Sequence, residues 1–331
     1  MLNRCSQYTR VTLPLVLLAG LLAPAGRAQD AVARKRPSSP AANQDATQSN
    51  FRVDSNVVLI HASVTDPHGR FITGLQREDF RVFENKIEQR LRYFSAEETP
   101  VSIGLVLDFS HSMSSYFGRL REAVAQFLET ANPEDEFCLV EFRDRAELTV
   151  GFTTAPAEIQ NRVALARPSG KTALLDAVYL ALRQMKKAHN ARRVLLIVSD
   201  GGDNHSRYTA REVENLARES DVETYTIGIG DWDSPGAAFE ASAFEAAGGR
   251  LLDEISEEGG GRYYGIDRAR DLPAIAEKIG RELRHQYLLG YVSTDQGRDG
   301  RYRRVEVKVL RAPGQPKLSA SWRRGYYAPA D

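Results

Sequence analysis

Asp108-Phe109-Ser110-His111-Ser112 follows directly on the apolar run Ile103 to Leu107, which has Gly104 inside it. That run has the length and continuity of a parallel strand buried on both faces, so Asp108 falls at the strand's carboxyl end. Where a chain leaves a strand, residues two apart face the same way. Asp108, Ser110 and Ser112 can therefore converge their oxygens on one point, while His111 turns away as a surface or packing residue. Such oxygens hold hard cations such as Mg²⁺. The same D-x-S-x-S spelling also suits a strand-to-helix turn in which Ser112 or Ser114 caps the next helix, so the motif alone does not decide.

Two further stretches bear on it. Gly170-Lys171-Thr172 stands just ahead of an amphipathic helix, and Asp200-Gly201-Gly202-Asp203 ends a second buried strand, Val194 to Ser199. Hydroxyls and acids thus recur at element termini, in order along the chain. The pattern resembles the von Willebrand factor A domain family, whose metal-ion-dependent adhesion site combines D-x-S-x-S, a later Thr and a later Asp. By that resemblance the metal ligands are Asp108, Ser110, Ser112, Thr172 and Asp200, holding Mg²⁺, or Mn²⁺ or Ca²⁺ in its place. In that family the two Ser hydroxyls and one of the Thr or Asp groups bind directly, and the others act through water.

Composition narrows the partners. Of 331 residues, 44 are basic and 44 acidic, so no general electrostatic affinity for nucleic acid or anionic membrane is indicated. A hydrophobic content of 42% can fill a core. Arg4 and Arg10, the apolar Val11 to Ala23 and the small residues Ala25, Gly26 and Ala28 read in that order as a secretory signal peptide over residues 1–28. The apolar run is short of the roughly 20 residues that span a bilayer, which leaves no transmembrane segment after cleavage. A secreted, periplasmic or envelope location follows. Cys138 would then be the one cysteine of the mature chain, in a setting that suits a small buried side chain.

Residues 29–50, rich in Ala, Ser, Pro and Gln, read as a disordered linker. Residues 51–98 have β texture, with Val58, Ile60, Ala62 and Val64 alternating, then Phe80 and Val82, then Leu91 and Tyr93. Between about 99 and 285 strands and helices alternate, which predicts a doubly wound, mostly parallel α/β sheet. The helix before Gly259 is expected from about 250 to 257. The stretch Asp231 to Gly249 is longer than a tight connection needs and is expected to border the metal face, as an edge helix or a partner-contacting loop. From 286 to 331 alternation returns through Val305, Val307, Val309, Leu318, Ala320 and Trp322. Arg303, Arg304, Arg323 and Arg324 read as a basic patch or as the polar faces of half-buried strands. Each flank alone offers only short strands with one apolar face, so the α/β domain is expected to sit inserted in a small β-sandwich built from both flanks. This layout, with Gln286-Tyr287-x-Leu289-Gly290-Tyr291 and Gly325-Tyr326-Tyr327, resembles the A-domain-related family common among Acidobacteria.

Enzyme chemistry finds little support. Gly170-Lys171-Thr172 lacks the earlier P-loop glycine, position 165 being Leu165, and there is no H-E-x-x-H, no G-x-S-x-G and no cysteine set for a zinc cage. Three of the five proposed ligands are neutral hydroxyls, so the cation would keep positive charge and an open position for an incoming Asp or Glu. The expectation is a non-enzymatic binding protein for a carboxylate-bearing protein partner. The alternative is a metal-dependent enzyme or an accessory or assembly subunit using the same site.

Overall fold

In the computed structural model, residues 57–230, 239–311 and 316–330 are described, with side chains omitted over 239–246. The expected signal peptide and linker, and positions 231–238 of the expected contact loop, lie outside these residues. The elements are β1 (Val57–Thr65), β2 (Phe80–Glu84), β3 (Ile87–Gln89), β4 (Leu91–Ser95), β5 (Val101–Asp108), α1 (Phe117–Glu129), β6 (Glu136–Phe142), β7 (Ala146–Thr153), α2 (Pro156–Leu165), α3 (Leu174–Met185), β8 (Arg192–Ser199), α4 (Ala210–Glu219), β9 (Glu223–Ile229), α5 (Phe239–Glu258), β10 (Tyr263–Ile266), α6 (Leu272–Arg284), β11 (Gln286–Val292), β12 (Tyr302–Val309), β13 (Ser319–Trp322) and β14 (Gly325–Tyr327). Among the described residues no helix is long and apolar enough to cross a membrane.

The central sheet has the order β10-β9-β8-β5-β6-β7. All its pairings are parallel except that of β7, which runs antiparallel at the edge. All eight residues of β5 are buried because helices cover both faces. Ile103, Leu105 and Leu107 face α1, α2 and α6, while Val106 faces the side of α3, α4 and α5. Cys138 lies in that second cluster, its thiol pushed up to about 12 by burial, which leaves it a packing residue. The first and fourth strands of this sheet, β5 and β8, are neighbours with Leu107 opposite Val198. Both connections leaving their carboxyl ends therefore start side by side, at the switch in strand order where such sheets bind ligands.

Two helices differ from expectation. α2 is not announced by the sequence, since a helix of under three turns with only Ile159 and Val163 buried carries little periodicity. α5 begins at Phe239 and not near 250, so residues 239–249 of the Asp231 to Gly249 stretch take the edge-helix alternative, continuous with the helix expected from about 250. The pair Gly248-Gly249 looks like a helix break, yet a Cβ at Gly248 would stand 2.6 Å from the Gly201 backbone. Glycine is there for close approach, and the helix runs through it.

The flanks form two four-stranded antiparallel sheets, β13-β1-β11-β4 and β14-β12-β2-β3, each drawing strands from both ends of the chain. Ile60, Val64 and Leu289 of one sheet and Phe80, Val82 and Val307 of the other share one apolar cluster. A buried carboxylate fastens it: Glu84 accepts from Tyr291 Oη at 2.8 Å, Tyr326 Oη at 2.8 Å and Ser293 Oγ at 2.6 Å. That gives the tyrosines of the two terminal signatures their role. The basic residues of this region do not form a free patch. Arg303 is buried against Asp295 (3.1 Å) and Asp299 (3.0 Å), Arg323 pairs with Asp221, and Arg324 with Glu257 at 3.2 Å.

The flanking sheets meet the amino-terminal ends of β8, β9 and β10 through an ionic network. Glu282 of α6 accepts from Ser63 Oγ and Tyr264 Oη, both at 2.8 Å, with Arg262 at 3.8 Å. Arg192 donates to the Leu283 carbonyl (2.6 Å) and Gln286 Oε1 (2.5 Å), and stands 3.6 Å from Glu223.

Candidate metal centre

Asp108 closes β5, fully buried. Phe109 turns into the core, packed edge-on against Phe117 with ring centroids 5.0 Å apart. That anchor points its neighbours Asp108 and Ser110 the other way. Ser110 is still extended, and a 3-10 turn over His111–Ser115 follows. Within that turn Ser114 Oγ donates to the His111 carbonyl at 2.6 Å, and Ser110, at the N-cap position, makes no side-chain cap bond. The Ser110 and Ser112 hydroxyls lie 3.0 Å apart. His111 is exposed.

Backbone pairing brings the segment that carries Thr172 alongside this one. Ser169 N–H donates to the Phe109 carbonyl (2.8 Å) and His111 N–H to the Gly170 carbonyl (3.1 Å), which lays 169–172 along 109–111. Gly170 has φ +79°, and a Cβ there would stand 2.4 Å from Asp144 Oδ2, so the turn requires glycine. Asp144 in turn accepts the Lys171 N–H at 3.0 Å. From β8 comes Asp200, half-buried, with its Oδ1 accepting the Gly202 N–H at 3.1 Å. Ser110 and Thr172 are buried and Ser112 is exposed, so the cluster opens to solvent on one side.

The electrostatics are those of an uncompensated pair of acids. The Asp108 carboxyl is pushed up to about 7, chiefly by burial and then by the charge of Asp200. Hydrogen bonds oppose that rise: Oδ1 accepts from the Ser110 N–H at 2.8 Å and Oδ2 from Ser199 Oγ at 2.6 Å. Among the described residues neither Asp108 nor Asp200 has an ion pair with Lys, Arg or His. The donor set fits a hard cation. All its atoms are oxygens, and adjacent vertices of an octahedron with metal–oxygen distances of about 2.1 Å lie about 3.0 Å apart, the separation of the two serine hydroxyls. Among the described residues no group of three His, Cys, Asp or Glu could hold a metal, so a site here depends on hydroxyls. Asp108, with both oxygens taken by protein donors, suits a ligand acting through water.

Residues not singled out from the sequence complete the site. Ser199 bonds Asp108 and also accepts the Gly201 N–H at 3.0 Å. Asn204, Asp203 and Ser206 bond the segment that carries Thr172 and opens α3. The available signal was density: Asp200 to Ser206 is mostly Gly, Asp, Asn and Ser, side chains that bond nearby backbone.

The von Willebrand factor type A domain family model matches residues 103–202, a span that holds all five proposed ligands. A protein of Borreliella burgdorferi is 28% identical over 184 residues, 50% of this chain and 53% of its own length. The chain thus spans about half the length of that curated relative. Among solved structures, a von Willebrand factor type A protein from Catenulispora acidiphila matches at TM-score 0.49 and 14% identity, covering 76% of this chain and 74% of its own. The vWF domain of the type V pili tip protein Mfa5 from Porphyromonas gingivalis matches at 0.45 and 14%, covering 56% of this chain and 95% of its own. An aerotolerance-related membrane protein from Bacteroides fragilis matches at 0.44 and 17%, covering 55% and 98%. By its family match, its sheet order and the placement of the motif at the switch point, this chain carries a von Willebrand factor type A domain.

Proposed function

We propose that this protein binds a protein partner through one divalent cation, Mg²⁺ or Mn²⁺ before Ca²⁺, at Asp108, Ser110, Ser112, Thr172 and Asp200. The observation that carries the reading is the pair of hydroxyls 3.0 Å apart beside two acids with no cationic side chain of their own. Because both Asp108 oxygens are engaged by protein donors, the donors left for direct contact with a cation are mostly neutral hydroxyls. A cation there keeps charge to offer, and an Asp or Glu of the partner is the ligand that best completes it. The bound cation supplies a positive charge and open positions, and the chain's residues orient it. The leader-like composition of residues 1–28 supports a location in the envelope or outside the cell, where such a partner would be met.

Capture from envelope extract on immobilised protein tests this. Partner recovery in Mg²⁺ should disappear with chelator and in Asp108→Ala. Recovery that survives both, or a partner that still binds after every acid at its contact is removed, contradicts the reading.

A further inference from the structure

α3 begins after Ala173, which has no side-chain acceptor to cap it. The first-turn N–H groups are met instead from the loop after β8. Leu175 N–H donates to Asp203 Oδ1 at 3.4 Å, and Asp176 N–H to Ser206 Oγ at 3.1 Å, whose hydroxyl donates on to Asp203 at 2.6 Å. The bonding is returned. Asp176 Oδ1 accepts the N–H groups of Arg207 (2.8 Å) and Tyr208 (3.2 Å), and the Tyr179 and Tyr208 rings stack 3.7 Å apart.

At the head of this interlock stands Thr172. Its N–H donates to Asn204 Oδ1 at 3.1 Å, and its carbonyl accepts from the N–H groups of Asn204 (3.0 Å) and His205 (3.1 Å). Asn204 therefore engages both backbone groups of Thr172, its side chain the N–H and its own N–H the carbonyl, which it shares with His205. Asn204 lies in the loop that begins with Asp200, four positions earlier. We infer that Asn204 is a positioning residue for the cation site: it fixes the Thr172 hydroxyl relative to Asp200, so that ligands from two separate segments are delivered as one unit. This inference rests on the cation reading above. Asn204 is itself exposed and fills no core, so its removal separates positioning from folding.

The test is a double-mutant cycle on the full chain, with Mg²⁺ and Mn²⁺ affinities from calorimetry for wild type, Asn204→Ala, Thr172→Ala and the double variant. Asn204→Ala should weaken affinity by about 10-fold or more, as loss of an orienting partner does. Its melting temperature without metal should fall by no more than about 4 °C. If Asn204 acts through Thr172, the double variant loses no more than Thr172→Ala alone. Losses that add, or an Asn204→Ala affinity equal to wild type, overturn the positioning role while leaving the site. Wild type that takes up no cation overturns the site itself.

Discussion

At the amino-terminal ends of β8, β9 and β10, Glu223 and Glu282 meet Arg192, Arg262, two tyrosine hydroxyls and Ser63. At the carboxyl-terminal ends of β5 and β8, Asp108 meets the charge of Asp200 and only hydroxyl and backbone donors. Both clusters bury carboxylates at the ends of the same sheet, and burial without a counter-charge is costly in each. The first is closed: its cations come from the chain, and it fastens the flanking sheets to the α/β domain. Among the described residues the second has no cationic side chain of its own, which is the ground on which we propose it as a place for a cation from solution. A buried acid by itself thus says little about function, and the sign of its neighbours says much.

Isosteric loss of charge should separate the two ends most clearly. Glu282→Gln turns an acceptor of two hydroxyls that also pairs with Arg262 into a mixed donor, and should cost about 3 kcal/mol in chemical denaturation. Asp108→Asn at pH 8 without metal should be at least as stable as wild type, because it removes a buried charge that faces Asp200. A large loss in Asp108→Asn, or none in Glu282→Gln, would erase the contrast.

Acid should act on the closed end next. His61 of β1 is half-buried beside Arg192, in a cleft that Arg193, Asp221, Glu223 and Arg323 also line. Its imidazole is pushed down to about 3, by burial first and by Arg192 second. The unfolded chain takes up a proton near pH 6.5 that the folded chain refuses until about pH 3. The stability that this contributes is therefore complete above pH 6.5 and falls as pH drops toward 3, by at most about 1.4 kcal/mol per unit. Thermal melts from pH 7 to 4 should show a shallower fall in His61→Phe, and equal slopes would remove His61 from the closed end.

The smallest effect serves as a control beside the open end. Thr209 caps α4 in a capping box with Glu212, one residue past the last bond of the α3 interlock. Thr209→Ala should cost about 1 kcal/mol and leave cation affinity unchanged. A changed affinity would show that the site senses any loosening of this loop, and not Asn204 in particular.

The sequence made the α/β class legible because its strands are continuous apolar runs and its helices amphipathic, and Asp108, Ser110, Ser112 and Asp200 stood out because they follow those runs, whereas Thr172 joined them through the family resemblance. Strand order was less accessible. Periodicity places β5 and β8 as strands, but only the folded sheet shows them to be neighbours. Asn204 escaped notice because its work is done on the backbone of Thr172, 32 positions away. Arg303 read as part of a basic patch or a polar strand face because nothing local reveals that Asp295 and Asp299 fold back on it, and Glu84 gave no signal because its partners Tyr291 and Tyr326 lie far along the chain. The amino-terminal half of α5 was hidden for a related reason, since Gly248 is glycine on account of Gly201, a contact that only the tertiary fold creates.

Binding of Mn²⁺ to the intact chain, followed by electron paramagnetic resonance, tests the open end most directly. One Mn²⁺ per chain, displaced by Mg²⁺ and lost in both Asp108→Ala and Thr172→Ala, is the expected result. No uptake by wild type, or uptake equal in wild type and both variants, would contradict it.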